Sequence, residues 1–205
     1  MKKSGHVVLE KADVCGVEAM MAVCGDLGMP SGEAFGASVT GELKGKLATW
    51  FSHIFLNGIK KYGEDYLQAA VMAGTISPAA ESPVIGPGCE FGTGCAGMLA
   101  CGHCAYVWAG EGSGMCVLRS ADVLGKKKMV RALSSETGGE DILEITDDGV
   151  LLICPEDMSD DIIHGSSMLT GICDISDDAS FDRYLGRMAE GEKAGCIAAL
   201  LAKER

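Results

Sequence analysis

The chain has 205 residues, of which 47% are hydrophobic and 22% charged, as is typical of a globular protein with a sizeable core. Acidic residues outnumber basic ones by 29 to 17, and the formal charge of −12 repels phosphate backbones and anionic lipid surfaces. We therefore predict that the chain binds neither nucleic acid nor membranes. An aromatic content of 5% and 29 glycines predict a closely packed core of small side chains.

The first residues lack the apolar segment of a secretory signal, since Met1–Lys3 leads into a polar stretch and only three apolar residues precede Glu10. Ten cysteines in an unsecreted chain are expected to be reduced thiols and not a disulfide framework. We predict a cytoplasmic protein. So many reduced thiols also favour an anaerobic source.

The first half of the chain is predicted to contain one short strand, at Val7–Leu9, and then helices. The helices are inferred from apolar residues that recur at the helical period. They run from Asp13 to about Leu27, between Gly41 and Lys61, and from Asp65 to Ala73. Proline and glycine then exclude regular structure over most of residues 74–94, where we expect a loop.

A further helix, from about Gly94 to Ala109, is predicted to be central because it is apolar on all sides. In the second half, Asp147-Asp148-Gly149 lies between two apolar runs, which is a strong signal for a β-hairpin. The predicted elements there are a strand at Met115–Leu118, a helix at Ala121–Leu133, strands at Ile142–Thr146 and Val150–Cys154, and helices near Phe181–Ala189 and Glu192–Lys203.

Taken together, these elements predict an α+β fold. We expect a single globular domain over residues 1–205, with amphipathic helices packed on a small, largely antiparallel sheet around a buried helix rich in glycine and cysteine.

Four cysteines are concentrated between residues 89 and 104, and the last two form the tight pair Cys101-Gly-His-Cys104. On one helix, Cys101 and Cys104 would stand one turn apart, close enough to bind one metal together. We predict an iron–sulfur cluster or a zinc ion here, although the spacing is not a common ferredoxin or zinc-ribbon pattern. The candidate ligands are Cys89, Cys95, Cys101 and Cys104, with His103 as a ligand or as a hydrogen-bond donor to one.

Two other interpretations of these cysteines are open. Over four residues, Cys101-Gly-His-Cys104 resembles the redox centre of protein disulfide isomerase, which would imply a dithiol–disulfide activity. Such pairs lie at a helix N-terminus, whereas apolar residues precede Cys101 here. Alternatively, the thiols are reduced and serve as small hydrophobic side chains in a glycine-rich core.

Gly92, Gly94 and Gly97 fit the pattern G-x-G-x-x-G, which lets a phosphate group approach a helix N-terminus. No hydrophobic strand directly precedes them, and no suitably placed acidic residue follows. The three glycines are candidate cofactor-binding positions, but a nucleotide cofactor is not favoured.

The leading functional hypothesis is a redox or metal-thiolate protein, or an accessory factor that handles a cluster. The rival hypothesis is a non-catalytic binding or assembly protein that contacts a second copy of itself or another protein through glycine-rich surfaces. Because no set of nucleophile, base and orienting group can be assembled, the sequence leaves enzymatic activity open.

Overall fold

The computed structural model describes residues 6–25, 45, 47–76, 95–146, 149–164, 172–173, 178–189 and 198–201. Within these ranges the chain forms strands that pair into two antiparallel sheets. The strands are β1 His6–Val14, β2 Val17–Gly25, β3 Cys95–Cys101, β4 Cys104–Ala109, β5 Met115–Val123, β6 Lys126–Leu133, β7 Gly139–Glu144, β8 Val150–Pro155 and β9 Ala198–Leu201.

The first sheet has the order β1-β2-β3-β4-β7 and the second the order β6-β5-β8-β9. Every described strand pairing is antiparallel. The predicted α+β class is therefore confirmed, with two sheets in place of one.

Helices lie in two groups along the chain. The first group is a nearly continuous helical run: residues 47–50, a π-helical turn at Phe51–Phe55, α1 Leu56–Tyr62, a 3₁₀ turn at Gly63–Asp65 and α2 Tyr66–Met72. The second group comprises α3 Glu156–His164 and α4 Asp178–Ala189. These elements confirm the predicted helices before Lys61, after Asp65 and near Phe181 over their described residues.

The molecule has four layers, because each sheet buries both of its faces. The inner faces pack against each other, with Met98 and Val107 of the first sheet in one cluster with Val117 and Ile153 of the second. The first helical group covers the outer face of the first sheet, and α3 and α4 cover the outer face of the second. The order is therefore helix, sheet, sheet, helix.

Burial on both faces explains why the central strands are apolar throughout. Side chains alternate along β2: Met21 and Val23 face the first helical group, whereas Ala22 and Cys24 face the other sheet. All four are fully buried. Strands covered on both sides show a continuous apolar run in place of the alternation of a half-exposed strand.

Three predicted helices are wrong for this reason. Over their described residues, Asp13–Leu27 falls on the β1–β2 hairpin, and the predicted central helix Gly94–Ala109 falls on the hairpin of β3 and β4. Ala121–Leu133 forms the end of β5 and all of β6. A short apolar run does not distinguish a buried strand from a buried helix.

Two further predictions need correction. The strands near Ile142 and Val150 are present, but β7 and β8 belong to different sheets and do not form the predicted hairpin. The predicted helix Glu192–Lys203 contains strand β9 in its described part. The extension of a single domain over the whole chain stays a prediction.

The two packed sheets form a sandwich, and its two ends carry different kinds of connection between strands. One end carries the connections 110–114 and 134–138 and the start of α3, and we call it the loop end. The other end carries the two-residue turns of three hairpins, and we call it the turn end. These turns are Cys15-Gly16, Gly102-His103 and Leu124-Gly125.

Candidate functional site

Of the cysteines predicted as metal ligands, the structure brings Cys101 and Cys104 together but separates Cys95 from them. Cys95 begins β3 at the loop end and Cys101 ends it at the turn end, so about 20 Å of extended strand separates them. His103 is exposed in the turn, and Cys89 lies outside the described residues. Among the described residues there is no group of three or more His, Cys, Asp or Glu that could hold a metal. The predicted metal-thiolate and iron–sulfur function is therefore wrong.

Cys101 and Cys104 are opposite each other across the β3–β4 turn, not at a helix N-terminus. The Cys101 thiol is fully buried and donates a hydrogen bond of 3.6 Å to the carbonyl oxygen of Glu64. Burial, with a contribution from the charge of Glu144, raises the pKa of Cys104. A redox-active pair needs a thiolate with a lowered pKa. The resemblance to a disulfide isomerase centre and the redox prediction therefore fail.

A second pair of thiols, missed in the sequence, lies between the sheet and its covering helices. Cys116 of β5 and Cys154 of β8 are directly opposite in register, and their sulfur atoms are 3.6 Å apart. Both side chains are fully buried. The hydrogen bond with Cys116, together with burial, raises the pKa of Cys154. Both thiols are side chains of the core between the second sheet and its helices.

Gly97 lies inside β3 and not at the start of a helix. Its register partner is Trp108 in β4, and a β-carbon on Gly97 would collide with the indole ring. This glycine therefore serves close packing within the sheet. Gly92 and Gly94 lie outside the described residues.

A polar network closes the loop end. The Arg131 guanidinium lies 3.1 Å from the Glu156 carboxylate, donates to Asp160 at 3.1 Å and also donates to the buried Ser159 hydroxyl. The other oxygen of Glu156 accepts hydrogen bonds from the backbone N–H and the hydroxyl of Ser135, at 3.0 and 3.1 Å. The network ties α3 to β6 and to the connection 134–138.

The backbone strengthens this closure. The N–H of Gly112 donates to the carbonyl of Ser135 at 2.8 Å, and the N–H of Glu156 donates to the carbonyl of Gly114 at 2.9 Å. Glu156 thus binds two connections and one strand at once. We assign the network a structural role, because it joins α3 to β6 and to the connection 134–138.

At the turn end, two hairpins share one sequence motif and one geometry. Asp13-Val14-Cys15-Gly16 and Asp122-Val123-Leu124-Gly125 each place two residues of positive φ in the turn: 57° and 82° in the first, 56° and 73° in the second. In each, the Asp carboxylate accepts a hydrogen bond from the glycine N–H, at 3.0 Å in the first and 2.8 Å in the second. The signal was available in the sequence, where Ala-Asp-Val-x-Gly occurs at 12–16 and again at 121–125.

Leu124 is the unusual residue of this pair of turns. A turn with two positive φ angles favours Asn, Asp or Gly at its first central position, because a branched side chain is strained there. Nevertheless Leu124 occupies it, and its side chain is 99% exposed. The neighbouring Val123 is 37% exposed. The apolar tip is therefore both strained and in contact with solvent.

The tip also projects from the body of the sheet. Strand β5 pairs with β8 only as far as Arg119 opposite Leu151, whereas its pairing with β6 continues to Val123 opposite Lys126. The last turn of this hairpin thus extends past the neighbouring strand β8. Three lysines, 126–128, follow the turn directly. We name residues 119–128 the basic hairpin.

No protein-family model and no curated protein matches the sequence. Among solved structures, the chain is similar to the PP2C phosphatase domain with a fragment of the regulatory domain of SpoIIE, a cell fate determinant of Bacillus subtilis. The TM-score is 0.44 and the identity 10%, over 97% of this chain and 58% of that one, so this chain spans little more than half of its length. It is also similar to PppA, a key regulatory component of T6SS in Pseudomonas aeruginosa, with a TM-score of 0.43 and 14% identity over 97% and 95% of the two chains. Similarities of this strength do not assign a function to the chain.

In the part of the chain that the structure describes, no helix is both long and apolar enough to cross a lipid bilayer.

Proposed function

We propose that this chain is a protein-binding domain that contacts its partner through the tip of the basic hairpin. The observation that carries the proposal is Leu124, a fully exposed leucine at a positive φ of 56°. We do not assign this role to the thiols of the described core, since they are buried among apolar side chains.

Leu124 lowers the stability of the folded chain in two ways. The left-handed backbone costs roughly 1–2 kcal/mol for a residue with a β-carbon. Exposure also forfeits the roughly 1.5–3 kcal/mol that burying a leucine side chain contributes. Strained residues of this kind are concentrated at sites where function requires them. If Leu124 inserts into a pocket of a partner, the burial energy is recovered in the complex. Binding then accounts for a leucine at this position, whereas folding does not.

Cys15 provides the internal comparison. It occupies the same position of the same motif with the same backbone geometry, and it too is exposed. The turn does not therefore demand a large apolar side chain. The leucine is a property of the second hairpin only, so the two sites form a matched pair for an experiment.

The test is site-specific photo-crosslinking in cells of the source organism. Benzoylphenylalanine replaces Leu124 in one version of the chain and Cys15 in the other, and illumination is followed by mass spectrometry of covalent adducts. We expect one discrete protein adduct from position 124 and none of the same mass from position 15. Adducts that are identical from both positions, or no adduct from position 124, would contradict the proposal.

A further inference from the structure

We infer that the partner surface which receives the hairpin is acidic, with a pocket for one large apolar side chain. This inference rests on the proposed function and specifies the chemistry of its partner. The basic hairpin holds four cationic residues and one carboxylate, in a chain whose formal charge is −12. Its charge is thus opposite to that of the chain as a whole.

Two of the exposed cations lie on the strand that follows the apolar tip. Lys126 pairs with Val123 next to the turn, and Lys128 follows on the same face of the strand because side chains alternate along a strand. Both lysines are exposed. Arg119, also exposed, lies at the other end of the hairpin on β5. A surface that buries Leu124 must therefore lie beside Lys126 and near Lys128.

Two of the lysines next to the tip, Lys126 and Lys128, are not used in ion pairs within the described part of the fold. By contrast, Arg131 further along the same strand is paired with Glu156 and Asp160 of α3. On β6, the cation that stabilises the fold, Arg131, therefore lies close to the body of the protein, whereas the exposed Lys126 and Lys128 lie nearer the tip.

Lysine on an edge strand also prevents sheets from associating edge to edge, and β6 is an edge strand. That role accounts for lysines, but it does not account for a strained, exposed leucine two residues before them. The same hairpin of a second copy of the chain is also a poor partner, because the lysines of the two hairpins would repel each other. A receiving surface of opposite charge, outside the hairpin, satisfies both features, since complementary charges speed association and fix orientation.

An anionic lipid surface is negatively charged like the acidic protein surface proposed here, and it would attract the same lysines. We favour a protein because the remainder of the chain is strongly acidic and is repelled by such a surface. In addition, one leucine provides only a small part of the apolar area that stable membrane binding requires.

The experiment selects a displayed library of short random peptides on the folded chain. It uses the wild type, a variant with Lys126→Glu, Lys127→Glu and Lys128→Glu, and Leu124→Asn. Peptides selected on the wild type are expected to be acidic and to contain Leu, Phe or Trp. Their affinity should fall about tenfold in the charge-reversal variant, as the loss of several exposed ion pairs predicts. A comparable fall is expected when salt is raised from about 0.1 M to about 1 M.

The outcomes separate the two proposals. Neutral peptides whose binding depends on Leu124 but not on salt would overturn the acidic partner and leave the binding function standing. Selection that is equally successful on Leu124→Asn would overturn both. Cosedimentation with vesicles that contain phosphatidylserine, lost in Leu124→Asn, would replace the protein partner by a lipid surface. Circular dichroism of each variant shows that the chain is folded.

Discussion

Gly97 and Trp108 face each other across β3 and β4, and the indole ring fills the space that a β-carbon on Gly97 would occupy. Trp108 is only 4% exposed and belongs to the cluster beneath the first helical group. The pair therefore fixes how closely that helical layer approaches the first sheet.

Gly97→Ala is expected to lower the free energy of unfolding by about 2–3 kcal/mol, because a tightly packed ring must move to admit the methyl group. Denaturant unfolding followed by tryptophan fluorescence measures the change. Gly16→Ala is not a suitable control because its φ is positive, but Gly45→Ala is, since nothing lies within 4 Å of a β-carbon there. If both variants were equally stable, the indole would not fill this space.

The buried thiol pair predicts a pH dependence of stability. The pKa of Cys154 is raised in the folded protein above its ordinary value of 9.0. The unfolded chain therefore loses this proton first, and stability is retained below pH 9 and lost as pH rises above it. The expected slope is about 1.4 kcal/mol per pH unit for this one group.

Urea unfolding of the wild type and of Cys154→Ala between neutral and alkaline pH measures this effect. The variant is expected to be less stable at neutral pH by about 1–2 kcal/mol, as small cavity-forming changes are. Above pH 9 its stability should fall less steeply than that of the wild type. Equal slopes would mean that the Cys154 proton is not held by the fold.

The network at the loop end predicts that Glu156 is important for stability. Glu156→Gln keeps the size of the side chain but removes the charge that pairs with Arg131, so we expect a loss of about 1–3 kcal/mol. Asp157→Asn, an exposed neighbour on α3, should change stability by less than about 0.5 kcal/mol. A thermal unfolding series compares the two. A similar small effect from both would show that the network does not hold α3 in place.

The twin turns predict that a substitution at the proposed binding site increases stability. Leu124→Asn should raise the free energy of unfolding by about 1 kcal/mol, because asparagine adopts a positive φ more readily than leucine. Cys15→Asn should give a similar gain for the same reason. Chemical denaturation tests both, and a loss of stability at position 124 would refute the strain assigned to that residue.

Several elements were predictable from the sequence because one of their faces is polar. The helix that contains Phe51 and Phe55 shows the helical period clearly, since the opposite face is exposed. The strand at Met115–Leu118 was also found, although all four of its residues are buried. The hairpins of β1 with β2 and of β3 with β4 were not, because both faces of β2, β3 and β4 are buried and the apolar run has no period of two.

The functional prediction failed for a related reason. The metal prediction relied on Cys101 and Cys104 standing one turn apart on a helix, whereas they end and begin two paired strands, and β3 places Cys95 at the opposite end of the sheet from Cys101. Leu124 was overlooked because a single leucine is not informative in a sequence. It becomes informative only through its positive φ and its place at the tip of a hairpin.

The most direct test of the binding function is the affinity for the protein that cross-links to position 124. Isothermal titration with that partner compares the wild type, Leu124→Asn and Cys15→Asn, all of which are expected to fold. Because burial of a leucine contributes about 1.5–3 kcal/mol, Leu124→Asn should raise Kd by about tenfold or more. Cys15→Asn should leave Kd unchanged. Equal Kd values for all three chains would contradict the conclusion that this protein binds its partner through the basic hairpin.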